Sequence, residues 1–213
     1  QTVNSGGVMT GNGNVAVDTS ALVNTQNGQI SGAGVTVRGD TVDNSGGQIG
    51  SLAGTNGDVA ITTTGAVTNT NGQIGATHNL AVNAAALTGG GAYSAANDVA
   101  VSVQGDFTPT PDLQFAAGHD LSFTMPGTFS NGATLEAANN LGITAGNIAN
   151  TGVMMAGGTL TTHSNTLENT GTMVGGSVSL NATQSLTNTG PTALIGATDS
   201  NGTLELLSND IEN

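Results

Sequence analysis

The 213-residue chain has no cysteine, no tryptophan, no lysine, one tyrosine and four phenylalanines. Without cysteine there is no disulfide framework and no thiolate metal site. With so few aromatics the usual large, flat core side chains are missing, so burial has to be achieved with small aliphatics. Fourteen acidic residues face a single base, Arg38, for a net charge of −13. Phosphate recognition needs Lys and Arg to displace counterions, which excludes nucleic acid as a partner. An anionic membrane surface is excluded on the same ground. No apolar run is long enough to cross a bilayer as a helix. No leader is visible and the first residue is Gln1, so the chain reads as an internal piece of a longer protein.

What is present is a repeat. Leu22, Val42, Val67, Leu87, Phe107, Phe129, Ile148, Leu167, Leu186 and Ile211 recur at steps of 19 to 25 residues, each just ahead of a turn, several of them rich in Asn and Gly. A short apolar segment follows each turn, marked by Met9, Ile30, Ile49, Ile74, Tyr93, Phe115, Leu135, Met154, Met173 and Ile195. Next comes an apolar-x-apolar segment such as Val35-x-Val37, Leu80-x-Val82 or Leu141-x-Ile143. That alternation is the period of a strand with one buried face. The segments are too short and too rich in glycine for helices. The leucine density of a leucine-rich repeat is missing, and paired hairpin strands would need a longer unit. The pattern predicts an all-β fold, a parallel β-helix (β-solenoid) of about ten coils of 19–25 residues with three short strands per coil, forming one domain over 1–213. Like residues then stack at roughly 4.8 Å per coil. Asn24, Asn44, Asn69, Asn150, Asn169 and Asn188 are assigned to corner turns, where Asn and Gly tolerate left-handed backbone and stacked amides can bond to one another.

The repeat is disturbed in three places. "GSLAGTNGD" (50–58) and "GPTALIGATDSNGT" (190–203) enlarge two coils. Both additions are placed between the first and second strands, as loops at one corner. The segment 107–129 holds Pro109, Pro111 and Pro126 and all four phenylalanines. Its phenylalanines fall at inward positions, and proline belongs in a corner because it cannot donate to a ladder. Pro109, Pro111 and Asp112 form the candidate recognition surface, against the simpler reading of a wider core under a stiffened turn.

Chemistry finds little footing. Arg38 lies near Asp40 and Asp43, which reads as a surface ion pair. Two-carboxylate catalysis, for example by Asp199 with Glu205, is formally open, and nothing in the sequence favours that pair. His78 and His119 fall two coils apart, too far to share a metal, and His163 lies inside a strand segment. "ATDSNGT" (197–203) lacks the full loop pattern of a calcium site. No catalytic, cofactor or metal residue is assigned, and the chain is read as no enzyme.

The units "LENTGTMVGGSVSL" (167–180) and "LTNTGPTALIGATDSNGTLELLSNDIEN" (186–213) resemble filamentous-haemagglutinin repeats. Such repeats form the shafts of long exoproteins of Gram-negative bacteria secreted by the two-partner route, among them adhesins and contact-dependent growth-inhibition toxins. The likeness extends over the whole chain. The family's secretion domain carries an Asn-Pro-Asn motif that does not occur here, and no toxin segment is recognisable, so this chain looks like shaft alone. The resemblance implies export through an outer-membrane two-partner transporter, display at the bacterial cell surface, and a rigid rod presenting a distal receptor-binding or toxin region. Low charge and absent cysteine suit passage as an unfolded chain. A rival function is a direct adhesin module whose corner loops bind a receptor on a host or neighbouring cell. A carbohydrate-acting β-helix enzyme is a second rival.

Overall fold

The computed structural model describes residues 1–213, all in strands, turns and bends, with no helix. It is a parallel β-solenoid of about ten turns. Two compact units are distinguished, Gln1–Val103 with Asp112–Ala117, and Gln104–Pro111 with Gly118–Asn213.

In the first unit each coil contributes three short strands, as in Ala21–Val23, Gln29–Gly32 and Val35–Gly39. Each strand pairs in parallel with its counterpart in the next coil. Leu22 lies opposite Val42, Val42 opposite Val67, and Val67 opposite Leu87. A second column runs Met9, Ile30, Ile49, Ile74, Tyr93, Phe115. A third runs Val15, Val35, Val59, Leu80, Val99. The strands form because alternate residues point inward and because no other element could satisfy the backbone. Every strand N–H and C=O not facing solvent needs a partner, and the next coil supplies it.

The second unit repeats the three columns. Phe107 bridges to Phe129, and the row continues through Ile148, Leu167, Leu186 and Ile211. Leu135, Met154, Met173 and Ile195 form the next column, and Leu121, Leu141, Leu160, Val178 and Leu204 the third. The division into three short strands changes here. Val153–Asn169 and Thr172–Asn188 run unbroken for 17 residues each. Their corners are crossed by register shifts between Ala156 and Thr159 and between Ser164 and Thr166. A bulge bends the strand while ladder pairing resumes at once, so a separate turn is not needed.

Three of the four phenylalanines of the 107–129 segment are core. Phe107, Phe123 and Phe129 are buried in the second unit with ring centroids 5.2–5.9 Å apart. In the first unit Phe115 stacks on Tyr93 at 5.3 Å. The two enlarged coils differ from each other. The first addition occupies one corner between Gln48–Ser51 and Val59–Thr63. There Thr55 Oγ1 donates to the carbonyls of Leu52 at 2.6 Å and Ala33 at 3.1 Å. The second addition is split across two corners, correcting the single-corner expectation. Asn188 to Ile195 takes seven steps where Asn169 to Met173 takes four, and Ile195 to Leu204 takes nine where Met173 to Val178 takes five. Pro191 and Gly190, the latter at φ 113°, widen the first of these corners.

Glycine is required at one column for space. A Cβ on Gly47 or Gly72 would strike the backbone carbonyl of Asn24 or Asn44 in the coil below, and neither position is left-handed. Gly47→Ala and Gly72→Ala are each expected to destabilise by about 1–3 kcal/mol in urea titration, as overpacking does. Gly142→Ala, whose Cβ would meet nothing within 4 Å, is the control that stays unchanged.

Tyr93 is fully buried and its hydroxyl has no hydrogen-bond partner. Burial alone pushes its phenol well above the ordinary range. A buried orphan hydroxyl costs its desolvation, so Tyr93→Phe is expected to raise the unfolding free energy by about 1 kcal/mol in urea titration.

Candidate functional site

The polar feature that the fold concentrates is a row of buried asparagines at the corner following Leu22 and its equivalents. From Asn4 to Asn69 and from Asn131 to Asn169 each side chain is buried and must find its partners in the neighbouring coils. In the first unit Asn4 Nδ2 donates to Asn24 Oδ1, Asn24 Nδ2 to Asn44 Oδ1, and Asn44 Nδ2 to Asn69 Oδ1, each at 2.7 Å. In the second unit Asn131, Asn150, Asn169, Asn188 and Asn213 are linked in the same sense at 2.6–2.8 Å. The same amide groups also donate to backbone carbonyls one coil on, as Asn24 does to Gln48 and Asn150 to Thr172. Each interior amide is thus an acceptor toward the preceding coil and a donor toward the following one. Asn4, Asn131 and Asn213 belong to these rows beside the six residues named from spacing. Asn4 and Asn131 lie one repeat before the first named member of each row, so the same spacing could have found them.

The ladder asparagines are not the left-handed residues. Positive φ falls on Gln26, Asn27 and Asn71, and on glycines including Gly6 and Gly46. The turn is made two or three residues after the ladder position. In the first unit the row stops at Asn69, whose amide donates to the Ala92 carbonyl, and Gly89 at φ 79° stands at the next ladder position.

The residues considered for recognition do not share an exposed surface. Pro109 is buried, while Pro111 and Asp112 are exposed. Pro109 is therefore withdrawn from the recognition surface, because a buried ring cannot meet a partner.

The candidate chemical groups are individually occupied. Arg38 lies 4.0 Å from Asp18 in the coil below, since the two are opposite in the ladder. Asp40 and Asp43 do not pair with it: Asp40 accepts from Thr64 Oγ1 and Asp43 from the Ser45 N–H. His78 Nδ1 is 2.8 Å from Asp58. His119 Nδ1 is 3.1 Å from Asp120. Burial acts to raise the Asp120 carboxyl, but hydrogen bonds from Asn140 and Asn139 and the neighbouring His119 outweigh it and hold it below the usual carboxylate range. His163 lies exposed on a strand. Glu205 accepts from Ser179 Oγ at 3.1 Å, and Asp199 sits in an exposed turn whose carbonyl takes the Gly202 N–H. None of these arrangements combines a polarised nucleophile, an acid and a pocket.

A family model described as the haemagglutinin repeat matches residues 1–71, 75–108 and 112–212. The chain belongs to the haemagglutinin-repeat family. Its resemblance to filamentous-haemagglutinin repeats thus rests on nearly every residue, with the Pro109–Pro111 stretch outside the match. The chain is also 57% identical over 207 residues to a protein named tRNA nuclease CdiA-2 of Burkholderia pseudomallei (strain 1026b). That alignment spans 97% of this chain and 7% of the relative's length. No solved structure matches the chain.

In this haemagglutinin-repeat chain the ladder should carry measurable stability. Asn44→Ala leaves one N–H of the Asn24 amide and the Asn69 acceptor without their ladder partner in a buried site, each costing about 1–3 kcal/mol. The expected loss in urea titration is about 3 kcal/mol. Asn213→Ala, at an exposed end of its row, should change stability by less than about 0.5 kcal/mol.

Proposed function

We propose that this chain is a segment of the shaft of a large exoprotein of the contact-dependent inhibition type, holding a distal receptor-binding or toxic region away from the producing cell. The observation that carries this reading is the coincidence of two facts. The whole chain is haemagglutinin repeat, and it is 57% identical to a stretch amounting to 7% of CdiA-2. The physical construction fits a spacer. Stability comes from each coil's contact with its neighbours, so it is roughly additive along the stack, and one coil can substitute for another.

The reading extends to secretion by the two-partner route through an outer-membrane transporter and to display at the cell surface. The word nuclease belongs to the relative's name, and no nuclease activity is assigned to this segment. Its one cation is engaged with Asp18, and its acidic surface repels a phosphate backbone.

A second reading, direct adhesion, draws on the enlarged corners at 52–58 and 190–203. One deletion separates the two. Val153 and Thr172 occupy equivalent places in successive coils, so removing residues 153–171 from the full-length parent excises one coil and rejoins the ladder in register. A shaft is expected to keep target-cell inhibition or adhesion at the parental level. Loss of that activity, with the shortened protein still exported, would overturn the shaft reading. Replacing 52–58 by a short turn should likewise leave activity intact, and loss there would favour the adhesin.

A further inference from the structure

On one strand of the second unit two neighbouring inward hydroxyls are left out of the hydrogen bonding of the stack. Thr162 and Ser164 point inward from the strand Val153–Asn169 and are only 1% and 2% exposed. Neither hydroxyl has a hydrogen-bond partner in the protein. The corresponding place in the first unit shows how such a group is normally accommodated. Thr63 stands four residues after the column residue Val59, as Ser164 does after Leu160, and its hydroxyl donates to the Gly65 carbonyl at 2.9 Å. In the second unit the register shift between Ser164 and Thr166 alters the backbone at this point.

Buried hydroxyls in native proteins are nearly always bonded, to protein or to ordered water. A water needs at least two polar partners and room. The polar partners are at hand here. Residues two apart on a strand have Cα atoms about 6.6 Å apart and face the same way, and a water bonded at about 2.8 Å to each hydroxyl spans about 5.6 Å. Ala145 lies below Ser164 and Ala182 above it, the smallest side chains available to an inward column. Tyr93 in the first unit is different: no second unbonded hydroxyl stands two residues along its strand.

We infer that Thr162 and Ser164 form an internal hydration site that holds an ordered water molecule within the core of the second unit. The water accepts from or donates to both hydroxyls and is a fixed part of that coil. Thr162 therefore contributes to stability through its hydroxyl, although Ile143 below it and Leu180 above it would equally accommodate a valine.

The test is a high-resolution crystal structure of the chain together with urea titration of Thr162→Val and Ser164→Ala. The expected result is solvent density within hydrogen-bond distance of both hydroxyls, with each variant unfolding at a lower urea concentration than the parent. Thr162→Val preserves shape, so a fall in its midpoint reports the lost hydrogen bond. Absence of that density, or a Thr162→Val midpoint equal to or above the parent's, would overturn the inference.

Discussion

The parallel backbone ladder between successive coils is the constraint on which the rest depends. A strand of three to five residues cannot satisfy its own N–H and C=O groups, and here it finds partners only in the coils above and below. That requirement fixes the spacing of coils, and the spacing fixes what side chains are allowed. Leu22, Val42, Val67 and Leu87 can form one column because each is an aliphatic of similar size. Gly47 and Gly72 are glycines because the carbonyl of the coil below leaves no space for a Cβ. The scarcity of aromatics has the same origin: rings are tolerated only where several stack together, as Phe107, Phe123 and Phe129 do.

The same geometry permits polar groups inside. An isolated buried amide would be costly, but an asparagine repeated in each coil meets its own kind at hydrogen-bond distance. The direction of donation is uniform, from each residue to the next in sequence, in both units. This ties neighbouring coils by side chain as well as by backbone, and it makes an interior asparagine more consequential than one at the end of a row. Hydroxyls do not form such a chain because they occur only sporadically. Tyr93, Thr162, Ser164 and Ser208 are accordingly the places where the interior departs from its own rule.

Several charged groups at the surface meet partners across the coils. Arg38 lies 4.0 Å from Asp18, and His78 and His119 lie beside Asp58 and Asp120. A stack of interchangeable coils is suited to setting a distance, and variation in such a stack collects at its corners, where added residues do not disturb the ladder.

Much of this was legible from one chain of letters. The columns follow from spacing alone, because a parallel stack requires equal residues at equal positions; Leu167 over Ile148 and Ile195 over Met173 are where the period puts them. The fold class and the family resemblance follow from the same repeat. What only the three-dimensional structure decided is how the chain turns each corner and what each side chain meets there. Backbone at a corner is set by contacts between coils, which a linear pattern does not encode. Hence Arg38 faces Asp18 across the ladder instead of its sequence neighbours, Pro109 is buried, and left-handed backbone falls on Gln26 and Asn27 rather than on Asn24. Spacing along the chain determined which residues share a column; the packing of one coil on another determined which groups face each other at the bends.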